Sequence, residues 1–546
     1  MRCAEAALRW HGQRAVSETP HTGCYNNCFF INLLYPTREA RSTNACENCG
    51  LRADLSGVLD VNEKPNRMTR DALTFLPAKI VEGILLMLAT SLYSDLFTLD
   101  ANGAYVIVNT TVLFGYLVLA GWLTNACTRF VAEELKNGHG RSFYSTAMGS
   151  YLVITLSVWV VSGAAYALSG NGVWLAGAAM FSTYFAFQML NAMLVQTGRI
   201  RWSVVLSISS AAIKLFFVLS VAQLLKRELT TPYAAIFAAV AGDLIASVFA
   251  LGALGIPRFF SLRGISGQML SAFLKFGFPL IGVSVAVGTL NMIDRYLIAL
   301  FYDNAQTAVY GQNYSIASSI FNMIMAGVMR GVYPAVLGAW RQGGERAAKP
   351  LLDSGVRLYL LIAAPAAAGL AAVCYPLSRF IFFSKSEYHA CAPVIALTAA
   401  AMFFMGLTEY ANKAWELTKK TVPVLQNSAF AAAVKIVSSL ILLPLVGVNG
   451  AAWGTLCAFI SYFLLSALRA RKIFLFSVAR KSLANIALAT AACFLAAWGV
   501  SHLPFAPVVT LILACAAGAG AYGIVILLTR EAKDELGAFM KILRRR

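Results

Sequence analysis

Two lysines sit where a lysine is costly. Lys214, in SVVLSISSAAIKLFFVLS, and Lys435, in SAFAAAVKIVSSLILLPLV, each lie near the middle of an apolar run of about 24 residues. At 1.5 Å of rise per helical residue, that position is close to the midplane of a bilayer. A charge there costs roughly 2.5–3.5 kcal/mol on insertion scales. A lysine stem cannot snorkel across half a membrane to escape it. Such a residue pairs with an acid, bonds to carbonyls, sits neutral, or meets an anionic ligand.

Acids at membrane depth are few. Asp243 lies at a depth comparable to Lys214 in the next span, so a Lys214–Asp243 pair competes with a cavity-facing role for Lys214. The stretch beside Lys435, AFISYFLLSA, contains no acid, which favours a cavity-facing Lys435 over pairing across the molecule. Asp294 and Arg295 are adjacent toward one end of a span, and neighbours on a helix point apart, so at most one of them faces a cavity. Asp243, Asp294 and Glu409 are the acids to test for ion coupling. Lys79 and Glu82, three apart, and Glu409 and Lys413, four apart, have the spacing of helix-surface pairs. Arg129 and Arg330 lie near span ends, as interfacial anchors or as entry-side cations. Four cysteines, Cys24, Cys28, Cys46 and Cys49, form CYNNC and CENC, a spacing that four zinc-bound thiolates can adopt. No apolar pattern around them supports a packed metal knuckle, and no metal or nucleophile constellation is present in the rest of the chain. No cofactor is expected.

The elements that carry these residues must be membrane helices. Of the 546 residues, 59% are hydrophobic and 13% charged, which excludes an ordinary soluble domain. Apolar runs of about 20 residues, read against a hydrocarbon core of about 30 Å, place fourteen spans near 76–97, 104–127, 148–168, 174–196, 202–225, 232–254, 276–301, 308–334, 356–381, 391–413, 422–446, 449–468, 483–503 and 505–529. Alternate connections collect the basic residues (Arg199 and Arg201, Arg258 and Arg263, Arg341 and Arg346, the tail LRRR), while LDANG, SGNG, YDNAQ, VGVNG and HLPF have none. The net charge of +19 is therefore a topology signal, with both termini cytoplasmic, and not a nucleic-acid patch. Residues 1–67 lack this patterning and read as a polar extension. Met68, opening MTRDALTFLPAKIVEG, has the look of a natural start.

The chain also repeats itself. NAMLVQTGRIRWSVVLSISSAAIK from Asn191 lies without gaps over NKAWELTKKTVPVLQNSAFAAAVK from Asn412, pairing Thr197 with Thr418, Ser207 with Ser428 and Lys214 with Lys435. FTLDANGAY similarly matches FYDNAQTAVY. The expected organisation is an all-α integral membrane protein: an N-lobe of six helices over 68–256, a C-lobe of six over 257–470, and two further helices with a basic tail over 471–546.

KFGFPL at the start of the seventh span, NMIDRYLIALFYDNAQTAVYGQNYSIAS after it, and GVNGAAWGTL at the twelfth carry a family resemblance. Over about residues 70–530 the chain resembles the polysaccharide exporters of the superfamily that also holds multidrug and toxin extrusion transporters and the lipid II flippase. The resemblance implies two lobes in a V around a central cavity, and a flippase, not an enzyme. Its substrate would be an undecaprenyl-diphosphate-linked oligosaccharide crossing the bacterial inner membrane for O-antigen, capsule or exopolysaccharide synthesis, with a glycan polymerase and a chain-length regulator as possible partners. A diphosphate crossing hydrocarbon needs cationic partners. The candidates are Lys435, Lys214, Arg330, Arg129, Lys79 and Arg295. No GxxxxGK[ST] motif is present, so the chain is not itself expected to be an ATPase. A drug or organic-cation antiporter of the same fold is the alternative, and would call for unpaired acids at mid-depth. A membrane glycan polymerase, the less favoured reading, would call for a large external loop.

Overall fold

A computed structural model describes residues 81–531 except 82, 86, 227, 419 and 421. The described residues all belong to one compact unit, Arg67–Arg546. The cysteines Cys24, Cys28, Cys46 and Cys49 and the pair Lys79 and Glu82 lie outside the described residues.

Fourteen helices are named here in chain order: α1 Gly83–Leu96, α2 Leu99–Lys136, α3 Gly140–Ser169, α4 Val173–Gln196, α5 Ile200–Leu225, α6 Tyr233–Leu254, α7 Gly267–Phe301, α8 Asn304–Ala372, α9 Cys374–Ile381, α10 Ala392–Leu417, α11 Val422–Val446, α12 Asn449–Ala470, α13 Arg480–Ser501 and α14 Pro507–Thr529. All but α1 and α9 are long and apolar enough to cross a membrane, twelve among the described residues. Their outward faces are those of a protein solvated by lipid: Leu168, Phe216, Leu224 and Leu300 are each more than two-thirds exposed.

Three departures from the expected spans have physical causes. The eighth and ninth spans are one element, α8, whose 69 residues would stretch about 100 Å if straight. It breaks at Gly344, where φ is 63° and ψ −144°, a conformation that suits glycine. The intervening AWRQGGERAAK, expected as loop, continues the helices because it is amphipathic and rich in helix formers. Helix α7 begins at Gly267 instead of 276, because Ser266 caps it by accepting a hydrogen bond from the Met269 amide at 3.4 Å. Finally, α2 is not uniformly α-helical: Tyr116–Ala120 forms a π-helical turn.

Buried side chains gather into two large cores. One draws on α2 to α6 and the start of α7, from Val112 to Phe273. The other draws on α7 to α14, from Leu290 to Ala514. Helix α7 therefore contributes to both. The connection between α6 and α7 is held against α3, where the Ser261 and Ser266 amides donate to Ser145 Oγ and Thr146 Oγ1, each at 3.0 Å. The last two helices are tied back to the second arm of α8. Arg357 Nε donates to Glu531 Oε1 at 3.0 Å, and the Ser477 amide and hydroxyl donate to Asp353 at 2.6 and 2.9 Å.

Candidate functional site

A buried ionic cluster centres on Asp294 of α7. Asp294 is fully buried, and its Oδ2 accepts from three helices at once: from Tyr310 Oη of α8 at 2.7 Å, from Lys435 Nζ of α11 at 2.8 Å and from Thr455 Oγ1 of α12 at 3.0 Å. Lys435 has no exposed surface, and its ammonium also donates to the Leu290 carbonyl. Among the described residues, Asp294 Oδ1 has no hydrogen-bond partner.

This corrects the expectation for Lys435. It was expected to lack an acid in its own half and so to face a cavity. Its acid comes instead from α7, seven residues before that helix ends, whereas Lys435 lies eleven before the end of α11. The difference is about 6 Å of helix axis, a gap the lysine stem closes.

The N-terminal half solves the same problem with a different helix. Lys214 Nζ lies 2.7 Å from Asp243 Oδ1 on α6, and Asp243 also accepts from Ser210 Oγ at 2.8 Å. Gly242 permits this approach: a Cβ there would lie 2.7 Å from the Ser210 carbonyl oxygen and 2.9 Å from Lys214 Cγ. The lysines are equivalent in the repeat; the acids are not.

Arg295, one residue on from Asp294, turns the other way, as successive residues 100° apart must. It lines a cavity of about 470 Å³ between α1 and α2 on one side and α7 and α8 on the other. Its guanidinium donates to the Asn291 carbonyl at 3.0 Å and lies over the Tyr314 ring at 4.9 Å. Among the described residues lining this cavity, Arg295 alone is charged; Asn109, Asn291, Gln312, Ser315 and Asn322 contribute amides and a hydroxyl. Reasoning from charges alone missed these neutral groups. Their signal was present in YGQNYSIASSIFN, where polar residues recur on a span that is otherwise apolar.

Toward the end of the helices that bears the charge-poor loops, the two halves meet in a buried amide seam. Asn102 Nδ2 donates to Tyr388 Oη at 2.8 Å, and Gln312 Nε2 donates to Asn102 Oδ1 at 3.0 Å. Asn313 Nδ2 donates to the Tyr388 carbonyl at 3.0 Å. Beyond the seam, Lys385 bonds Glu228 and the Phe97 carbonyl, which accounts for two of the few charged residues in those loops.

Arg129, Glu409 and Lys413 are not among the described residues that line the cavity. Arg129 is 3.9 Å from Glu133 on the surface of α2. Lys413 pairs chiefly with Glu416, at 2.7 Å, and only at 3.8 Å with Glu409; the expected four-residue spacing yields to a three-residue one, and the ammonium also lies 4.9 Å from the Tyr333 ring centre. Arg330 belongs to the first arm of α8; its side chain lies outside what is described.

A multi-pass helical array with a polar cavity between its halves and a guanidinium in the wall has the architecture of a membrane transporter. Comparison with known proteins gives the family. The family model described as lipid II flippase MurJ matches residues 236–516, just over half of the chain. The chain belongs to the MurJ lipid II flippase family. No curated sequence matches it. Among solved structures it is similar to the lipid II flippase MurJ in an inward closed conformation, with a TM-score of 0.67, 15% identity, and coverage of 84% of this chain and 99% of that one. It is also similar to a multidrug resistance MATE family transporter of the MOP superfamily in an inward-facing conformation, with a TM-score of 0.57, 13% identity, and coverage of 73% and 97%. At these identities the structural likeness speaks for the fold alone.

Proposed function

We propose that this protein flips an undecaprenyl-diphosphate-linked saccharide from the cytoplasmic to the external leaflet of the bacterial cytoplasmic membrane, with both termini cytoplasmic. The observation that carries the reading is Arg295, one guanidinium in a wall of amides and hydroxyls. A guanidinium presents donors in a planar fork that matches a phosphate's oxygens. Neutral amides and hydroxyls suit the sugar hydroxyls beside it. The saccharide is either a lipid II type headgroup, as the family description has it, or a repeat unit of O-antigen, capsule or exopolysaccharide, since all share the diphosphate. In the second case a glycan polymerase and a chain-length regulator would act on the product. A drug antiporter of the same fold is disfavoured, because an organic cation would meet Arg295 and no charged acid among the described lining residues.

The test is flipping in proteoliposomes, with fluorescent undecaprenyl-diphosphate carrying either a peptidoglycan-type disaccharide-peptide or a neutral repeat unit. Arg295→Ala, at equal protein content, is expected to fall to the protein-free background and Arg295→Lys to retain part of the rate. Wild-type flipping by Arg295→Ala would sink the assignment, and the headgroup that moves faster decides the saccharide.

A further inference from the structure

The ion pair of Lys435 with Asp294 meets no substrate in this reading, yet it adjoins the residue that does. We propose that Lys435 and Asp294 are positioning residues that set the rotation of α7 and thereby hold the Arg295 guanidinium in the cavity. The proposal rests on Arg295 being the cation that meets the substrate.

Two observations carry it. First, Lys435 grips the α7 turn at two points, the Asp294 carboxylate at 2.8 Å and the Leu290 carbonyl one turn earlier. Thr455 adds a third helix to the same oxygen at 3.0 Å. With Asp294 fixed against α11 and α12, the next residue, 100° round the axis, has only the cavity side to occupy. Second, a chain of contacts runs from the pair to the cation. Tyr310 donates to Asp294 at 2.7 Å and stacks on Tyr314 with ring centres 5.9 Å apart, and Tyr314 lies under the Arg295 guanidinium at 4.9 Å. Every link is a direct contact between named groups, so displacing Lys435 has a defined route to the cavity.

The experiment reads register without any substrate. Arg295→Cys is made in the full-length protein, treated with a charged methanethiosulfonate reagent, and modification at that position is followed by mass spectrometry, so the native cysteines do not interfere. Adding Lys435→Met is expected to slow modification at least tenfold while the protein remains monodisperse; an unchanged or faster rate overturns the proposal. If Lys435→Met does not fold, Tyr310→Phe decides. It keeps the ion pair and the ring stack but removes the hydrogen bond to Asp294, and is expected to slow modification about threefold, with no change again refuting the idea. In the flipping assay Lys435→Met is expected to cost activity, and a wild-type rate in that variant at equal protein content would mean that the pair does not act through Arg295. If modification responds as expected but Arg295→Ala flips normally, the positioning stands and the substrate reading of Arg295 falls.

Discussion

Removing one half of the buried pair is expected to harm the fold more than removing both. In Lys435→Met, Asp294 keeps Tyr310 and Thr455 but loses its counter-ion in a site with no exposed surface. Breaking a buried pair in this way costs about 3–5 kcal/mol. In Lys435→Met with Asp294→Leu, no charge remains. Thr455 still donates to the Ala451 carbonyl at 3.0 Å, so Tyr310 is the one donor stripped of its acceptor. A buried donor left unsatisfied costs about 1–3 kcal/mol. The double variant should therefore be the more stable by about 2 kcal/mol, near the top of the 5–30-fold range that one or two kcal/mol spans in an unfolding equilibrium. Denaturant titration of the purified protein in detergent, followed by tryptophan fluorescence, measures the order directly. A single variant as stable as wild type, or a double variant weaker than the single, would refute the view that the charges are held by each other.

Other expectations follow from particular contacts. A Cβ at Gly103 would lie 1.7 Å from the Asn304 carbonyl oxygen, a backbone atom that no rotamer change can move. Gly103→Ala is thus expected to destabilise the fold by about 1–3 kcal/mol, as an overpacked core does, and so to lower the thermal midpoint, whereas Gly252→Ala, with open space around it, should be neutral or slightly stabilising. Lys385→Ala removes a bond to Glu228, worth less than about 1 kcal/mol because that side chain is 47% exposed, together with the bond to the Phe97 carbonyl, so global stability should fall by only about 1–2 kcal/mol. Hydrogen exchange at Thr98 and Leu229, whose amides bridge the adjoining segments at 3.0 and 2.8 Å, should nonetheless quicken. Burial pushes the Glu531 carboxyl up, but hydrogen bonds from Ser482, Asn485 and Arg357 outweigh it and hold the group below its ordinary value. A depressed pKa stabilises the fold above the unfolded value and that stability is lost as pH falls through the folded one. Acidification below about pH 4.5 should then loosen wild type more than Glu531→Gln, seen as a smaller midpoint drop in the variant.

Helices were legible because lipid leaves the chain little choice: every backbone group must be satisfied within its own segment, and length and apolarity announce it. Lys214 and Asp243 were legible as a possible pair because consecutive helices of one half place them at one depth. Lys435 was not, since its acid is 141 residues earlier in the chain and the adjoining span holds none. Which of Asp294 and Arg295 would face the cavity also lay beyond the sequence, because periodicity gives the angle between neighbours and packing gives the origin of that angle. The amide seam of Asn102, Gln312 and Tyr388 was hidden for a related reason. Its members are neutral, and only tertiary contact distinguishes a buried amide bonded across the halves from one in a loop.

The π-helical turn at Tyr116–Ala120 changes how α2 must be compared with other chains. A widened turn takes up one residue more than an α-helical one, so everything from Gly121 to Lys136 is turned by about 100° relative to a continuous α-helix. In that setting the Trp122 carbonyl abuts Gly277 of α7, so tightly that a Cβ there would lie 2.7 Å from its oxygen. A relative missing a single residue in this stretch would have no widened turn. An alignment that places the gap elsewhere would then pair each of the following sixteen positions with a residue on the wrong side of the helix. Here a one-residue gap is a statement about azimuth, and where it is placed decides which side chains are held to correspond.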